Sequence, residues 1–380
     1  MSRALPTANA LEHCAKPAPR HERTSLHLAA SARRLSLWAA NASVVRDVSV
    51  SCVSDRYGRP ELSTSIAVEE AALAILKRAK EALSLAIRWA GLPGVARHTF
   101  ARRRIGILMY HEPAFELLDR HLSYLRRHYA LVRLADVVDA LHGGSWHALP
   151  TPGVVVTIDD GKRGARELLP LFERHGVVPT LYVCSQLIGT NRRFWFDVHP
   201  ERETLKAIAH EQRIGRLEAT GDFTLTMEFP AAQRAALSIE ELAQMGASVD
   251  IQSHTRFHPV LTTCSADHCR EEIAASRVEI ECLTGRPCEH FCFPNGDYTE
   301  RELQMVKEAG YRSARTIRTG WTGPASDPYQ LKILGVDDHA SVNQLAADLA
   351  GLGFLEGFLR RARFDNPAGR YRPITLDPNV

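Results

Sequence analysis

The stretch Val154-Val155-Val156-Thr157-Ile158-Asp159-Asp160-Gly161 is an apolar run of strand length that stops at two adjacent carboxylates and a glycine. A run this short and β-branched, buried on both faces, belongs to a parallel sheet whose carboxyl edge carries polar groups. A second stretch, Ile251-Gln252-Ser253-His254-Thr255-Arg256-Phe257-His258-Pro259, supplies two imidazoles four residues apart. One Asp with two His gives a divalent ion three protein ligands and leaves coordination positions open, the arrangement of a catalytic rather than a structural zinc. The other Asp is then free to act as a base.

Beyond these two stretches, strand and helix patterns alternate from Arg104 onward. Strands are predicted at Ile105 to Tyr110, Gly153 to Ile158, Pro179 to Cys184, Ser248 to Gln252 and His290 to Phe293. Helices are predicted around Gly164 to His175, Ser238 to Met245, Ala266 to Leu283 and Thr299 to Ala309. Repeated β-then-α units predict an α/β fold with a parallel sheet, open or closed into a barrel. In such folds chemistry collects at the carboxyl edge. His111, Asp159, His254 and Asn295 all come shortly after predicted strands.

Adjacent carboxylates on a regular strand face opposite sides, so Asp159 and Asp160 can share a pocket only if the strand breaks there. Gly161 permits that break. Read alone, Asp160 fits better as the cap of a helix starting near Lys162, a reading that the distant histidine pair reverses. His254 and His258 have the i, i+4 spacing of helical zinc motifs, but Pro259 disfavours a helix at His258 and predicts a loop or one irregular turn. Surface histidines are the alternative for an isolated pair.

On these residues the chain resembles the polysaccharide deacetylase family, the NodB-homology carbohydrate esterases. Thr157-Ile158-Asp159-Asp160-Gly161 resembles the T-F-D-D-G motif, whose first Asp is the base and second a metal ligand. His254 to His258 resembles H-[ST]-x-x-H-P, with both histidines as ligands. Cys292-Phe293-Pro294-Asn295-Gly296 resembles R-x-P-x-G, where the backbone N–H at the Asn295 position helps hold an oxyanion. The resemblance covers roughly Arg104 to Ala350 and implies a distorted (β/α) barrel of the NodB type. It implies metal-dependent hydrolysis, with zinc as the expected cofactor, of N-acetyl groups on an amino-sugar glycan or glycan precursor. The metal ligands would be Asp160, His254 and His258, and the base Asp159. The arginine of the third motif is replaced by Cys292, so its role in orienting the base is either missing or filled by another group. Late tryptophan and leucine-x-leucine-histidine motifs are not evident; Trp321 and His339 match poorly. In some members a strand ending in Tyr-His near the amino terminus replaces the last strand and supplies the acid. Met109-Tyr110-His111 resembles it, so His111 is expected as the acid in preference to His339.

The chain has 380 residues, 45% hydrophobic and 24% charged, enough for one large α/β domain plus extra pieces. A net charge of +3 hides an asymmetry: residues 1–104 hold 17 Lys/Arg against 8 Asp/Glu, the remainder 30 against 36. No aromatic-interleaved basic strip or zinc-finger spacing points to nucleic acid. Residues 1–64 show no sustained period and read as poorly ordered. No methionine stands between Met1 and Met109, so a start at a different codon is one reading of this leader. Residues 65–103 form an amphipathic helix, Ile66 to Ala90, and a linker. Its face of Leu73, Leu76, Leu83 and Ile87 is expected to pack on the core, peripheral membrane contact being its other use. The domain proper spans 104–350, with a tail at 351–380. Eight irregularly spaced cysteines without a C-x-x-C pair predict reduced, mostly buried thiols. Neither a signal peptide nor an apolar run of about 18 residues is evident, which makes the cytoplasm, up to the inner face of the membrane, the expected location.

Three other readings compete with a deacetylase. A haloacid-dehalogenase-type phosphatase needs its aspartates one residue apart and followed by Gly-Thr, which is not the pattern here. The same scaffold could instead hydrolyse another amide or imide, which acetate release would distinguish. A non-catalytic glycan-binding relative would not need all three ligands and the base, and all four are present.

Overall fold

The computed structural model describes residues 62–351, with side chains from Ala74 onward. Contacts group the chain into two units, Ala15–Ala79 and a second that includes everything from Lys80. The sheet and all the site residues belong to the second. Expectations for residues 1–61 and 352–380 lie outside the described residues.

The elements in chain order are α1 (Leu62–Trp89), α2 (Leu92–His98), β1 (Ile105–Tyr110), α3 (Phe115–His128), β2 (Ala130–Leu131), α4 (Leu134–Gly143), β3 (Gly153–Ile158), α5 (Leu169–His175), β4 (Thr180–Val183), α6 (Arg202–Lys206), α7 (His210–Glu218) and α8 (Ile239–Met245). Next come β5 (Asp250–Ser253), α9 (Ala266–Thr284), β6 (His290–Cys292), α10 (Glu300–Glu308), β7 (Ser313–Thr319), β8 (Leu331–Gly335) and α11 (Val342–Leu349). All pairings between these strands are parallel. β1 pairs with β3 along its whole length, Ile105 with Gly153 through Tyr110 with Ile158, and with β8 on its other side. This closes a barrel in the order β1-β8-β7-β6-β5-β4-β3. The short β2 shares the remaining edge of β3 with β4, β2 at Gly153–Val154 and β4 at Thr157–Ile158.

The five predicted strands are present within two residues of their expected ends. Ser238 and Thr299 prove to be N-caps, each in a reciprocal capping box with the Glu three residues on. Gly164 to His175 is not one helix: Arg163–Leu168 is a 3₁₀ turn, and α5 restarts at Leu169 with Pro170 in its first turn.

Alternation along the strands sorts side chains into two cores. Leu108, Tyr110, Val154, Val156, Ile158, Leu181, Val183, Ile251 and Ala314 pack in one cluster with the surrounding helices. Ile105, Ile107, Val155, Tyr182, Cys292, Leu331 and Ile333 make up the other, towards the barrel interior. Burying each such aliphatic side chain contributes roughly 1.5–3 kcal/mol. The period of two also aims the polar edge. Continuing the inward register by steps of two brings His111, Asp159, His254 and Arg315 to the barrel mouth.

The expected packing of the α1 apolar face is corrected at Leu83, which is half exposed, with Trp89 more so. From Glu81 onward the helix docks by its polar side instead. Ser84 is buried, and Glu81 accepts from the Ser341 hydroxyl at 2.7 Å and from Asn343 Nδ2 at 2.8 Å, at the start of α11. Cysteines 184, 264, 269, 282, 288 and 292 are reduced, and all but Cys282 are buried. Among the described residues no helix is long and apolar enough to cross a membrane.

Candidate active site

Asp159 directly continues β3, and its N–H donates to Tyr110 O at 2.9 Å. The chain then reverses: Asp160 and Gly161 both adopt left-handed backbone, with φ of 72° and 71°. Only glycine fits the second position, because a Cβ there would lie 2.7 Å from Val183 Cγ1. The reversal brings the Asp160 carboxyl to the same pocket as its neighbour. Asp160 caps no helix; the next turn has Lys162 as its N-cap residue, with no side-chain cap.

His254 comes directly after β5, and Thr255 and His258 are again left-handed, with φ of 68° and 58°. The intervening loop is not helical, as Pro259 requires. It is held from α9: Glu272 accepts from the N–H groups of Arg256 (2.8 Å) and Phe257 (3.0 Å), and Glu279 accepts from Arg256 Nε, Ser185 Oγ and Gln186 Nε2. With Asn295, at φ 53°, Asp160, Thr255 and His258 complete the set of left-handed non-glycine residues among those described. Strain of this kind, of order 1–3 kcal/mol each, persists where surrounding structure over-determines it.

Asp160 Oδ1 lies 3.6 Å from His254 Nε2 and 3.4 Å from His258 Nε2, all three residues being buried. Tetrahedral ligands about 2.0–2.1 Å from a zinc ion are separated by about 3.3–3.4 Å, so these three fit a divalent ion. His254 Nδ1 is 2.9 Å from Cys292 O. A carbonyl only accepts, so Nδ1 carries the proton and Nε2 presents its lone pair to the cluster. Burial lowers the pKa of His254 to about 4 and that of His258 well below its ordinary value. Burial raises Asp160 to about 7, the neighbouring Asp159 charge adding to the shift. A buried carboxyl facing two neutral imidazoles is an environment short of positive charge, which a cation would supply.

Asp159 is treated differently. Its burial alone would raise its pKa, but the Arg315 guanidinium beside it holds it below the ordinary carboxylate range. Arg315 pairs with Asp159 Oδ2 and lies 2.7 Å from Cys292 Sγ. It comes from β7, where it is the register partner of Cys292 on β6. Where Cys292 replaces the arginine of the third motif, an arginine from the neighbouring strand thus stands beside Asp159. Its guanidinium also sits 5.2 Å from the centre of the Tyr182 ring. Asp159, His254 and Cys292 form a further group within ligand distance of one another. There, however, both Asp159 Oδ2 and Cys292 Sγ already face Arg315, which favours the Asp160 set. The second Asp159 oxygen, Oδ1, is buried without a hydrogen-bond partner.

His111 is half-buried at the end of β1, and its charge acts on Asp159, Asp160, His254 and His258. Its N–H donates to Asp338 Oδ1 at 3.0 Å, tying β1 to the loop after β8. His339 is exposed. Asn295 lies on the turn after β6, within the barrel's carboxyl edge, with its Nδ2 buried and unpartnered.

Sequence reasoning missed Arg315 and the aromatic run Phe194-Trp195-Phe196. The ring of Phe196 meets His258 edge-on at 4.7 Å, that of Phe194 at 6.4 Å, and Trp195 Nε1 donates to His258 O at 2.8 Å. Aromatic clustering between two strands was the available signal. Beside the cluster, Glu112, Lys162, Arg163, Arg193, Asp197, Gln233 and Arg234 line a polar cleft of about 470 Å³.

The family model for polysaccharide deacetylase matches residues 147–314. This segment belongs to the polysaccharide deacetylase family. The match contains Asp159, Asp160, His254, His258 and Asn295, and excludes His111 and Arg315. Membership supports an amide-hydrolysing deacetylase with a glycan substrate, in a family that is metal-dependent. Comparison with curated proteins found no match. Among solved structures, the deacetylase domain is similar to the deacetylase PplD of Streptococcus pyogenes, solved with acetate (TM-score 0.49, 18% identity, covering 65% of this chain and 98% of that one). Also similar are IcaB from Ammonifex degensii (0.48, 18%, 65% and 97%) and a de-N-acetylase from Aggregatibacter actinomycetemcomitans (0.48, 15%, 64% and 99%).

Proposed function

We propose that this protein removes N-acetyl groups from an amino-sugar glycan or glycan precursor by metal-assisted hydrolysis, releasing acetate and a free amine. The observation that carries the reading is the division of labour between adjacent carboxyls: Asp160 converges with His254 and His258, while Arg315 holds Asp159 apart and ionised. When bound by Asp160, His254 and His258, a divalent ion such as zinc supplies Lewis acidity and a water whose pKa falls from about 15.7 towards roughly 7. Asp159 accepts that water's proton through its unpaired Oδ1. The backbone N–H of Asn295 donates to the developing oxyanion. His111, protonated, delivers a proton to the departing sugar amine, a poor leaving group without one. Arg315 fixes the base and keeps it charged; it touches no substrate. The polar cleft lined by Lys162, Arg163 and Gln233 gives the sugar hydroxyls donors and acceptors.

Acetate release across a panel of N-acetylated glycans, measured for the parent and for Asp159→Asn, tests the reading. Acetate from one member, abolished in the variant, is expected. Release of ammonia or another acid from a non-acetylated amide, with none from any acetylated glycan, would move the assignment to another amide.

A further inference from the structure

Between β4 and β5 the chain makes a small insertion, where Trp195, Leu205, Leu217 and Phe223 form a core of their own with Val260 from beyond β5. The first residue of its helix α7, His210, meets the chain that leaves the His258 loop. The rings of His210 and His268 lie 4.4 Å apart at 32°. Cys264 completes the group: one ligand atom from each of the three lies within 4.8 Å of the other two. His210 and Cys264 are buried.

We propose that His210, Cys264 and His268 form a second metal site, for a thiophilic divalent ion such as zinc, separate from the Asp160 cluster and structural in role. Several independent features support it. His210 Nδ1, His268 Nε2 and Glu272 Oε1 are all buried without a hydrogen-bond partner. Such groups are costly unless something binds them. Glu272 is 1% exposed, and its Oε1 stands 3.9 Å from His268 Nε2. Its Oε2 is already used by the Arg256 and Phe257 N–H groups, and its Oε1 borders the three-ligand group on the His268 side only. Two imidazoles and a thiol form a donor set that suits zinc, and the Glu272 carboxyl, drawn in from the His268 side, would close it to the four-ligand kind that is structural. Zinc ligands are about 3.3–3.6 Å apart, so side-chain adjustments of about an ångström bring His210, Cys264 and His268 to ligand spacing. Of the nearby Arg213 guanidinium, Nε and Nη2 donate to the carbonyls of Leu205, Lys206 and Ile208 and to Thr263 Oγ1, while Nη1 is buried without a partner. Burial favours both imidazoles in the neutral form, with His210 lowered to about 4, so their lone pairs are available at neutral pH. Binding releases the Cys264 thiol proton to solvent as the thiolate–metal bond forms.

The consequence is a clamp. It ties the insertion, through His210, to the start of α9, and through Glu272 to the loop that presents His258. It stands apart from the catalytic reading, because its ligands are disjoint from that cluster.

Zinc content of the full chain after equilibration and dialysis reads this directly. We expect about two equivalents in the parent, and about one each in His254→Ala and His268→Ala. A single equivalent in the parent, lost in His254→Ala and retained in His268→Ala, would overturn the proposal. Should His268→Ala fail to fold, cobalt-substituted His254→Ala serves: it should show a near-ultraviolet thiolate-to-cobalt band that Cys264→Ser removes and Cys292→Ser leaves. Absence of the band in His254→Ala, or its survival in the Cys264→Ser background, would equally overturn it.

Discussion

The two adjacent aspartates differ through three backbone and side-chain facts: the inward register at Asp159, the left-handed turn at Asp160 and the guanidinium of Arg315. Asp159→Asn removes the proton acceptor and keeps the metal ligands, so turnover should fall by about 10²- to 10⁴-fold with metal content nearly unchanged. Loss of the metal would mean that the roles are reversed. Arg315→Gln should act through the base. The arginine depresses the Asp159 pKa, so without it the folded-state pKa rises, protonation reaches the base at higher pH, and the acidic limb of kcat/KM moves upward. An unmoved limb would make Arg315 purely structural. His111→Ala should retain far more activity on an acetyl ester with a good leaving group than on an N-acetyl sugar, and equal losses on both would remove His111 as the acid. The convergence of Asp160, His254 and His258 beside Asp159 was legible because these residues fall in contiguous motifs. Arg315 was not, because its partner Cys292 is adjacent only through strand pairing.

Among the elements, the strands with continuous apolar character, β3 above all, could be read from their residues alone. β7, Ser-Ala-Arg-Thr-Ile-Arg-Thr, could not: its buried Arg315 sits where an apolar residue would complete the alternation, so the pattern looks exposed. The site's own demand for a cation concealed the strand that carries it. A buried histidine links α3 to the barrel in a way that pH can probe. His121 is hydrogen-bonded to the Tyr110 hydroxyl at 3.0 Å and to Ala340 O at 2.9 Å, and burial lowers its pKa to about 4. Below the unfolded value of about 6.5 the unfolded chain binds the proton that the folded chain refuses, so stability falls as pH drops from about 6.5 to 4. The loss is of order 3 kcal/mol. Denaturant melts of parent and His121→Phe should diverge in pH slope across that window; identical slopes would refute the buried neutral state.

Across the barrel, closure depends on β1, which alone among the described strands bridges β3 and β8. Removing the chain through His111 should therefore abolish cooperative unfolding, since it exposes two strand edges and takes Ile105 and Ile107 out of the core. The parallel barrel was legible from the β-α alternation, and the closing position of β1 was not, because register between distant strands leaves no local trace. Central to the proposed mechanism is one ion shared by Asp160, His254 and His258, with Asp159 outside its coordination. Anomalous diffraction at the zinc edge from zinc-loaded crystals is the sharpest check on that division. It should place a peak about 2.0–2.2 Å from Asp160 Oδ1 and from both Nε2 atoms, with Asp159 still paired to Arg315. A peak coordinated by Asp159 and Cys292, or none within reach of Asp160, would contradict it.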